Sequence, residues 1–147
     1  MAKILILNGP NLNMLGKREK EHYGSFTLED VETRLKNEAE KLSCTVEFKQ
    51  NNCEGALIDM IQQAGGEYDA IVLNPGAYTH YSYAIRDAIT VCGIPVIEVH
   101  ISNIHAREEF RRVSVTAPAC IGQISGFGLE SYVLGLDAAI YALQDRV

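Results

Sequence analysis

The sequence has 147 residues, 47% of them hydrophobic, and a formal net charge of -6, which suits one domain (1–147) with a sizeable core. The acidic balance argues against a nucleic-acid partner, and no run approaches the ~20 apolar residues of a membrane span. Four scattered cysteines without a C-x-x-C pair argue against a disulfide framework or a zinc site, and the N-terminus lacks a secretory signal. We therefore expect a cytoplasmic protein without a nucleic-acid or membrane partner.

Short apolar runs alternate with helical patterns along the chain. Residues 4–7 form a continuous apolar run, typical of a strand that is buried on both faces of a parallel sheet. A long polar loop follows, and 27–30 resembles a capping box that opens an amphipathic helix ending near Leu42. The alternating segment 45–49 predicts a strand near the edge of the sheet.

The second half of the chain continues this alternation. Residues 74–77 predict a turn that starts no helix in place, and Ser102 and Asn103 are expected to cap a short helix. The remaining predicted helices cover 56–64, 84–92, 106–112 and 129–143, and the remaining predicted strands cover 70–73, 95–99 and 120–124.

This pattern predicts an α/β protein, namely a flavodoxin-like, doubly wound sandwich with a five-stranded parallel sheet in the order 2-1-3-4-5. Such sheets bind ligands outside the carboxyl ends of their strands, where the strand order reverses. The residues just beyond the first and third strands are 8–13 and 74–80, and the fourth strand adds Glu98 and His100. We therefore expect a polar site of asparagines and histidines there.

Common nucleotide-binding and hydrolase motifs are missing from the sequence. No G-x-G-x-x-G follows the first strand, Gly16 and Lys17 lack the glycine spacing of a phosphate-binding loop, and no G-x-S-x-G occurs. The histidines also lack the sequence neighbours of a metal site. The chemistry left is acid–base catalysis with hydrogen bonding, and we expect neither a metal nor a cofactor.

Three long blocks carry a family resemblance: LNGPNLNMLGKRE followed by YGS, then NPGAYTHYSYAIRDA, then PVIEVHISNIHAREEFR. Their order and spacing resemble the type II 3-dehydroquinases (3-dehydroquinate dehydratases) over essentially the whole chain. The resemblance implies a flavodoxin-like lyase that dehydrates 3-dehydroquinate to 3-dehydroshikimate without a cofactor, by anti elimination through an enolate. It also implies a role in aromatic amino acid biosynthesis or quinate breakdown, and a homododecamer built as a tetramer of trimers.

The resemblance, together with the position of Glu98 two residues from His100 on the same predicted strand, gives roles to five residues. Tyr23 is expected to be the base that removes the proton next to the ketone, and His100 to be the acid that protonates the departing hydroxyl. Arg18 is expected to stabilise the tyrosinate and the transition state, because a nearby cation lowers the pKa of a phenol. Glu98 is expected to hold the orientation and charge of the imidazole, and Asn11 to stabilise the enolate.

The resemblance also predicts the substrate contacts. Asn74 and His80 are expected to bind hydroxyl groups, and the backbone N–H groups of Ile101 and Ser102 to bind the carboxylate at the start of the short helix. The substrate-binding residues implied by the resemblance are Asn74, His80, Asp87, Ile101, Ser102 and Arg111. Of these, Asp87 is expected to reach the active site of a neighbouring subunit.

Some positions are expected to contribute less, or to differ from the family. His105 and Arg107 are expected to be structural, on a helix laced with charges. Lys20 stands where the family often has proline, within a proposed mobile lid over 15–24. The residues of the segment 116–118 also match the usual family pattern less closely. This segment is expected to lie away from the chemistry.

Two other functions remain open from the residues themselves. One is a flavodoxin-like binding or signalling module with an inert pocket. The other is an enzyme that uses an imine-forming lysine, as a different class of dehydroquinase does. Lys17 and Lys20 lie on the polar loop, and no lysine follows a strand in an apolar setting, which disfavours imine chemistry.

Overall fold

A computed structural model describes residues 1–17 and 25–144. Strands and helices alternate through this part of the chain, as the sequence predicts. The strands are β1 (Lys3–Asn8), β2 (Thr45–Gln50), β3 (Ala70–Asn74), β4 (Val96–His100) and β5 (Gly122–Ser125), and the α-helices are α1 (Leu28–Leu42), α2 (Glu54–Ala64), α3 (Tyr83–Val91) and α4 (Glu130–Leu143).

The five strands form one parallel sheet in the order β2-β1-β3-β4-β5. This order confirms the predicted flavodoxin-like, doubly wound topology. In the β1–β3 ladder Asn8 lies beside Asn74, and in the β3–β4 ladder Leu73 lies beside Glu98. The carboxyl ends of β1, β3 and β4 therefore lie side by side at the point where the strand order reverses.

The apolar runs of the central strands pack against helices on both faces of the sheet. Ile4 and Ile6 face a core shared with α1 and α4, whereas Leu5 and Leu7 face a core shared with α2 and α3. This two-sided burial explains why β1 has a continuous apolar sequence. The edge strand β2 has alternating exposed and half-buried residues along its first half, as its alternating sequence predicts.

The capping box at the start of α1 is confirmed. Thr27 Oγ1 accepts a hydrogen bond from Asp30 N (3.2 Å), and Thr27 N donates to Asp30 Oδ2 (2.9 Å). Aspartate thus replaces the usual glutamate and still satisfies two backbone groups of the first turn. Three residues at helical spacing, Val31, Leu35 and Ala39, point into the core.

Two local predictions are wrong. A 3₁₀ helix, Gly76–His80, begins directly after Pro75, because Asn74 Oδ1 accepts a hydrogen bond from Gly76 N (3.1 Å) and starts the turn. The single short helix expected over 106–112 is instead two 3₁₀ turns, Ile104–Ala106 and Glu109–Arg112, which are separated by the extended backbone of Arg107.

The fifth strand begins later than predicted. A 3₁₀ turn, Ala117–Ala119, precedes it, and Cys120 N donates to Ala117 O (3.0 Å) at the end of that turn. Cys120 is therefore held outside the ladder, which starts at Gly122. None of the helices within 1–17 and 25–144 combines the length and the apolar character that a membrane crossing requires.

The segments after β1 and β3 touch closely enough to require glycine at position 9. Gly9 N donates to Asn74 O (2.8 Å), and a Cβ at Gly9 would lie 2.7 Å from Pro75 O. We expect Gly9→Ala to lower the free energy of unfolding by about 1–3 kcal/mol, because the backbone must shift. Urea denaturation measures this change.

The matched control is Gly55→Ala in α2, where an added Cβ meets nothing within 4 Å. Alanine is favoured over glycine inside a helix by ~0.5–1 kcal/mol, so this variant should be at least as stable as the wild type. Equal stability of the two variants would show that the contact at Gly9 is not tight.

Candidate active site

A cavity opens at the carboxyl ends of β1, β3 and β4, where the topology predicts a ligand site. Its walls come from the segments that follow these strands and from the two 3₁₀ turns after β4. The lining residues are Pro10, Asn11, Leu12, Asn74, Gly76, Ala77, His80, His100, Ile101, Ser102, Ile104, Arg107 and Arg111. The predicted polar rim of asparagines and histidines is therefore present, with arginines added to it.

His100 ends β4 and is paired with Glu98, two residues earlier on the same strand. The side chain of Glu98 is completely buried, and its Oε2 lies 2.9 Å from His100 Nε2. A carboxylate only accepts hydrogen bonds, so Nε2 must carry the proton of this bond. Nδ1 is therefore the ring nitrogen of His100 that remains for proton transfer to a bound molecule.

Glu98 stays ionised because several donors surround it. Ser114 Oγ (2.9 Å) and Gln123 Nε2 (2.6 Å) donate to Oε2, and Thr116 Oγ1 donates to Oε1. Burial alone raises the pKa of Glu98, but the hydrogen bond and charge of His100 and the bonds from Thr116 and Gln123 outweigh burial and bring that pKa to about 2. The predicted role of Glu98 in orienting His100 thus has a firm geometric basis.

We expect Glu98→Gln to destabilise the fold by about 3–5 kcal/mol, because an amide nitrogen would replace an oxygen on which donors converge. Urea denaturation measures the loss. Glu40→Gln, at an exposed carboxylate of α1, is the matched control and should change stability by less than ~0.5 kcal/mol. A Glu98→Gln protein as stable as this control would contradict the account.

The same carboxylate predicts how stability depends on pH. The pKa of Glu98 is about 2 in the fold, below its ordinary value of 4.5. A group whose pKa falls on folding stabilises the fold above its unfolded pKa, and this contribution is lost as the pH falls through the folded pKa. Between pH 4.5 and 2, the wild type should therefore lose more stability than Glu98→Gln loses.

His80 is held as a neutral hydrogen-bonding group. Its Nδ1 donates to the carbonyl of Val113 (2.7 Å), which leaves Nε2 for a ligand. Burial lowers the pKa of His80, and this effect outweighs the opposing hydrogen bond to Val113. The ring also packs edge-on against Phe110, with centroids 5.9 Å apart. His80 can therefore bind a hydroxyl group without adding charge to the cavity.

The side chains of Asn8 and Asn74 are held by Tyr132, which the sequence pattern places only within the last predicted helix, 129–143. The hydroxyl of Tyr132, on α4, donates to Asn8 Oδ1 (2.6 Å) and accepts from Asn74 Nδ2 (2.9 Å). Together with the bond from Gly76 N, these contacts orient the Asn74 amide and leave one Nδ2 hydrogen for a ligand. A buried tyrosine signals a polar partner, but the sequence does not say which one.

Asn11 stands at the cavity edge in a left-handed conformation, with φ of 69°. Asparagine tolerates this region better than most residues. Its backbone N donates to Asn52 Oδ1 (3.0 Å), and its carbonyl accepts from Met14 N (3.0 Å). These contacts tie Asn11 to the rim and leave its side chain beside the cavity.

Positive charge beside Ile101 and Ser102 comes from arginines and not from a long helix. The 3₁₀ turn that begins at Ile104 has three residues, so its dipole is small. The side chain of Arg107 is nearly buried, and its Nη1 lies 3.5 Å from Ser102 Oγ. Arg111 Nε lies 3.1 Å from Glu108 Oε2. The two guanidinium groups give the cavity one cationic wall, which suits an anionic ligand.

The comparisons with known proteins agree with this geometry. The family model of class II dehydroquinases matches residues 2–140. The chain belongs to the class II dehydroquinase family. The resemblance of the three sequence blocks is therefore confirmed.

Individual members of the family match almost the whole chain. The chain is 60% identical over 146 residues to the 3-dehydroquinate dehydratase of Caldicellulosiruptor bescii, covering 99% of the chain and 98% of that protein. It is 62% identical over 145 residues to the 3-dehydroquinate dehydratase of Bacillus cytotoxicus, covering 99% of each. The crystal structure of type II dehydroquinase from Butyrivibrio crossotus superposes with a TM-score of 0.91 at 53% identity, covering 94% of this chain and 97% of that one.

The described residues include only part of the predicted site. Arg18 and Tyr23 lie outside the described residues, as do Lys20 and most of the proposed lid, and their roles remain predictions. Asp87 is exposed on α3 and is not among the residues that line the cavity. The lining includes Asn11, Asn74, His80, His100, Ile101, Ser102 and Arg111 from the predicted set.

Arg107 and the segment 116–118 lie closer to the site than the sequence predicts. The sequence interpretation assigned Arg107 to a charge-laced helix, whereas its side chain lines the cavity. The expectation that the segment 116–118 lies away from the chemistry is wrong, because Thr116 donates a hydrogen bond to Glu98. In 1–17 and 25–144, no three or more His, Cys, Asp or Glu side chains are arranged to hold a metal ion.

Proposed function

We propose that this chain is a hydro-lyase that dehydrates 3-dehydroquinate to 3-dehydroshikimate. The observation that carries the proposal is the buried Glu98–His100 pair, which meets a cavity lined by neutral amide and imidazole groups on one side and arginines on the other. The relatives named 3-dehydroquinate dehydratase support the same substrate. A binding module with an inert pocket would not need a buried carboxylate that orients a histidine.

The proposed reaction proceeds in two proton-transfer steps without a cofactor. Tyr23, as the tyrosinate that Arg18 stabilises, removes the proton next to the ketone, and the C–H electron pair forms an enolate. Asn11 donates a hydrogen bond to the charge that develops on the enolate. The enolate oxygen then re-forms the ketone, and the enolate C=C electron pair forms the new C=C bond as the C–O bond to the leaving hydroxyl breaks. His100 protonates that oxygen, so that water departs. Tyr23 finally releases its proton to solvent and His100 takes one up, which returns both residues to their starting states.

The proposed substrate contacts follow the charge of the cavity. The Asn74 amide and His80 Nε2 bind ring hydroxyl groups, since both are neutral and held in place by internal hydrogen bonds. The backbone N–H groups of Ile101 and Ser102 bind the carboxylate. Arg111, on the cationic wall, adds the positive charge that the short turn lacks.

A spectrophotometric assay tests the function. Purified protein mixed with 3-dehydroquinate should give the conjugated enone product, which is followed by ultraviolet absorbance. No product at micromolar protein would overturn the proposal. Borohydride added during turnover should not trap substrate on the chain, whereas covalent capture would favour the imine-forming lysine.

We also propose the family assembly, a homododecamer that is a tetramer of trimers, in the cytoplasm. The exposed position of Asp87 on α3 leaves its side chain accessible to a neighbouring subunit. We further propose that 1–147 folds as one domain and acts in the shikimate pathway or in quinate breakdown. Sedimentation equilibrium should give the mass of twelve chains, and a monomer mass would contradict the assembly.

A further inference from the structure

Three hydroxyl side chains form a cluster beneath Glu98. Thr79 Oγ1 lies 2.7 Å from both Ser114 Oγ and Thr116 Oγ1, and the last two oxygens are 3.2 Å apart. Thr79 and Thr116 are completely buried. We call these three residues the hydroxyl cluster.

The protons of the hydroxyl cluster can be assigned from its partners. Ser114 and Thr116 each have a single hydroxyl proton, and each donates it to Glu98. Ser114 Oγ also accepts from the backbone N of Ala117 (2.9 Å). Thr79 can then donate its proton to either neighbour. This arrangement requires Glu98 to act only as an acceptor, which is the ionised carboxylate.

The two oxygens of Glu98 have different sets of donors. Oε2 is shared by His100, Ser114 and Gln123, whereas Thr116 donates to Oε1. Thr116 is thus the contact that fixes the second oxygen, and with it the rotation of the carboxylate about its last bond. If that rotation changes, the acceptor that holds His100 Nε2 moves as well.

The chain around the cluster also connects to the second histidine of the cavity. The carbonyl of Val113 accepts the hydrogen bond from His80 Nδ1 (2.7 Å). Val115 N donates to Thr79 O (2.7 Å), which holds this segment against the turn that carries His80. The segment 113–116 therefore supports both imidazole groups from behind the cavity.

We propose that Thr116, supported by Thr79 and Ser114, is a positioning residue for the dehydration: its hydroxyl fixes the Glu98 carboxylate in the rotation that keeps His100 directed for proton transfer. The proposal rests on the function proposed above. Thr116 is not among the residues that line the cavity, and it acts through Glu98. A methyl group in place of the hydroxyl would fill the same space but leave Oε1 without this donor.

The pH dependence of stability gives a readout of the ionised Glu98 carboxylate itself. In the described part of the chain, the titratable groups that interact electrostatically with Glu98 are His100 on its own strand, His80 on the turn after β3, and Cys120 on the segment before β5. Burial raises the pKa of Glu98 and the donors lower it, so loss of one donor must raise that pKa. The stability that the ionised Glu98 contributes would then be lost at a higher pH.

The test compares Thr116→Val with Thr116→Ser and with Thr33→Val. Thr33→Val is a matched control at an exposed threonine of α1 whose hydroxyl donates to Glu29 O (3.1 Å). We expect Thr116→Val to lower kcat by about 10- to 100-fold, with KM nearly unchanged. Its loss of stability on acidification should begin at a higher pH than that of the wild type. Thr116→Ser should recover most of kcat, and Thr33→Val should match the wild type.

A crystal structure of Thr116→Val without substrate provides the independent measurement. It should show a rotated Glu98 carboxylate or a lengthened contact to His100 Nε2. An unchanged pair, an unshifted pH dependence of stability, or equal loss of kcat in Thr116→Ser and Thr116→Val would overturn the positioning role. Lack of turnover by the wild type would instead overturn the proposed function, while the crystal structure would still decide whether Thr116 positions Glu98.

Discussion

Replacing His100 by asparagine is expected to lower kcat by about 10²- to 10⁴-fold, the usual contribution of a general acid. Asparagine keeps a polar group of similar reach at the end of β4 but cannot transfer a proton at neutral pH. The neighbouring substrate contacts remain, so KM should change little. Steady-state kinetics with 3-dehydroquinate, followed by product absorbance, measures both quantities.

His105→Asn is the matched control for this prediction. His105 lies on the exposed surface of the first 3₁₀ turn after β4 and is not among the residues that line the cavity. The control should keep the kcat of the wild type. If His100→Asn also kept the kcat of the wild type, His100 would not be the general acid, and its buried pair with Glu98 would have to serve another role.

Replacing Tyr23 by phenylalanine is expected to have an effect at least as large. The substitution removes one oxygen and keeps the ring, so packing is preserved while the proposed base is lost. We expect kcat to fall by about 10²- to 10⁴-fold and the dissociation constant of the substrate to stay close to that of the wild type. Isothermal titration calorimetry with the inactive variant measures that binding directly.

The control for Tyr23 is Tyr141→Phe, at a tyrosine of α4 that is half exposed. This change removes the same oxygen away from the cavity and should leave turnover intact. Because the two proton transfers belong to one reaction, the double variant Tyr23→Phe, His100→Asn should be less impaired than the product of the single effects predicts. A Tyr23→Phe enzyme that keeps most of its rate would remove Tyr23 as the base.

The fold could be predicted because its signals are local and periodic. Continuous apolar runs identified the buried strands, helical spacing identified the helices between them, and the alternation of the two identified the parallel sheet. The position of the site followed from topology, since Asn74 and His100 end neighbouring strands at the same edge of the sheet. Family resemblance then supplied the expected roles of these residues.

The supports of the site could not be predicted because their partners are distant in sequence. Thr116 lies 18 residues after Glu98 and Tyr132 lies 124 residues after Asn8, so no spacing rule joins them. Arg107 has the sequence context of a charged helix, and only the extended backbone at that residue turns it toward the cavity. Tertiary packing decides such contacts, and a local pattern does not record them.

The most direct test of the proposed reaction follows a deuterium label through the elimination. 3-Dehydroquinate is prepared with deuterium on the carbon between the ketone and the carbon that bears the departing hydroxyl. The label is on the ring face opposite that hydroxyl, and the product is analysed by mass spectrometry. Anti elimination with a base and an acid on opposite faces predicts 3-dehydroshikimate without the label. Product that retains the deuterium would contradict this mechanism.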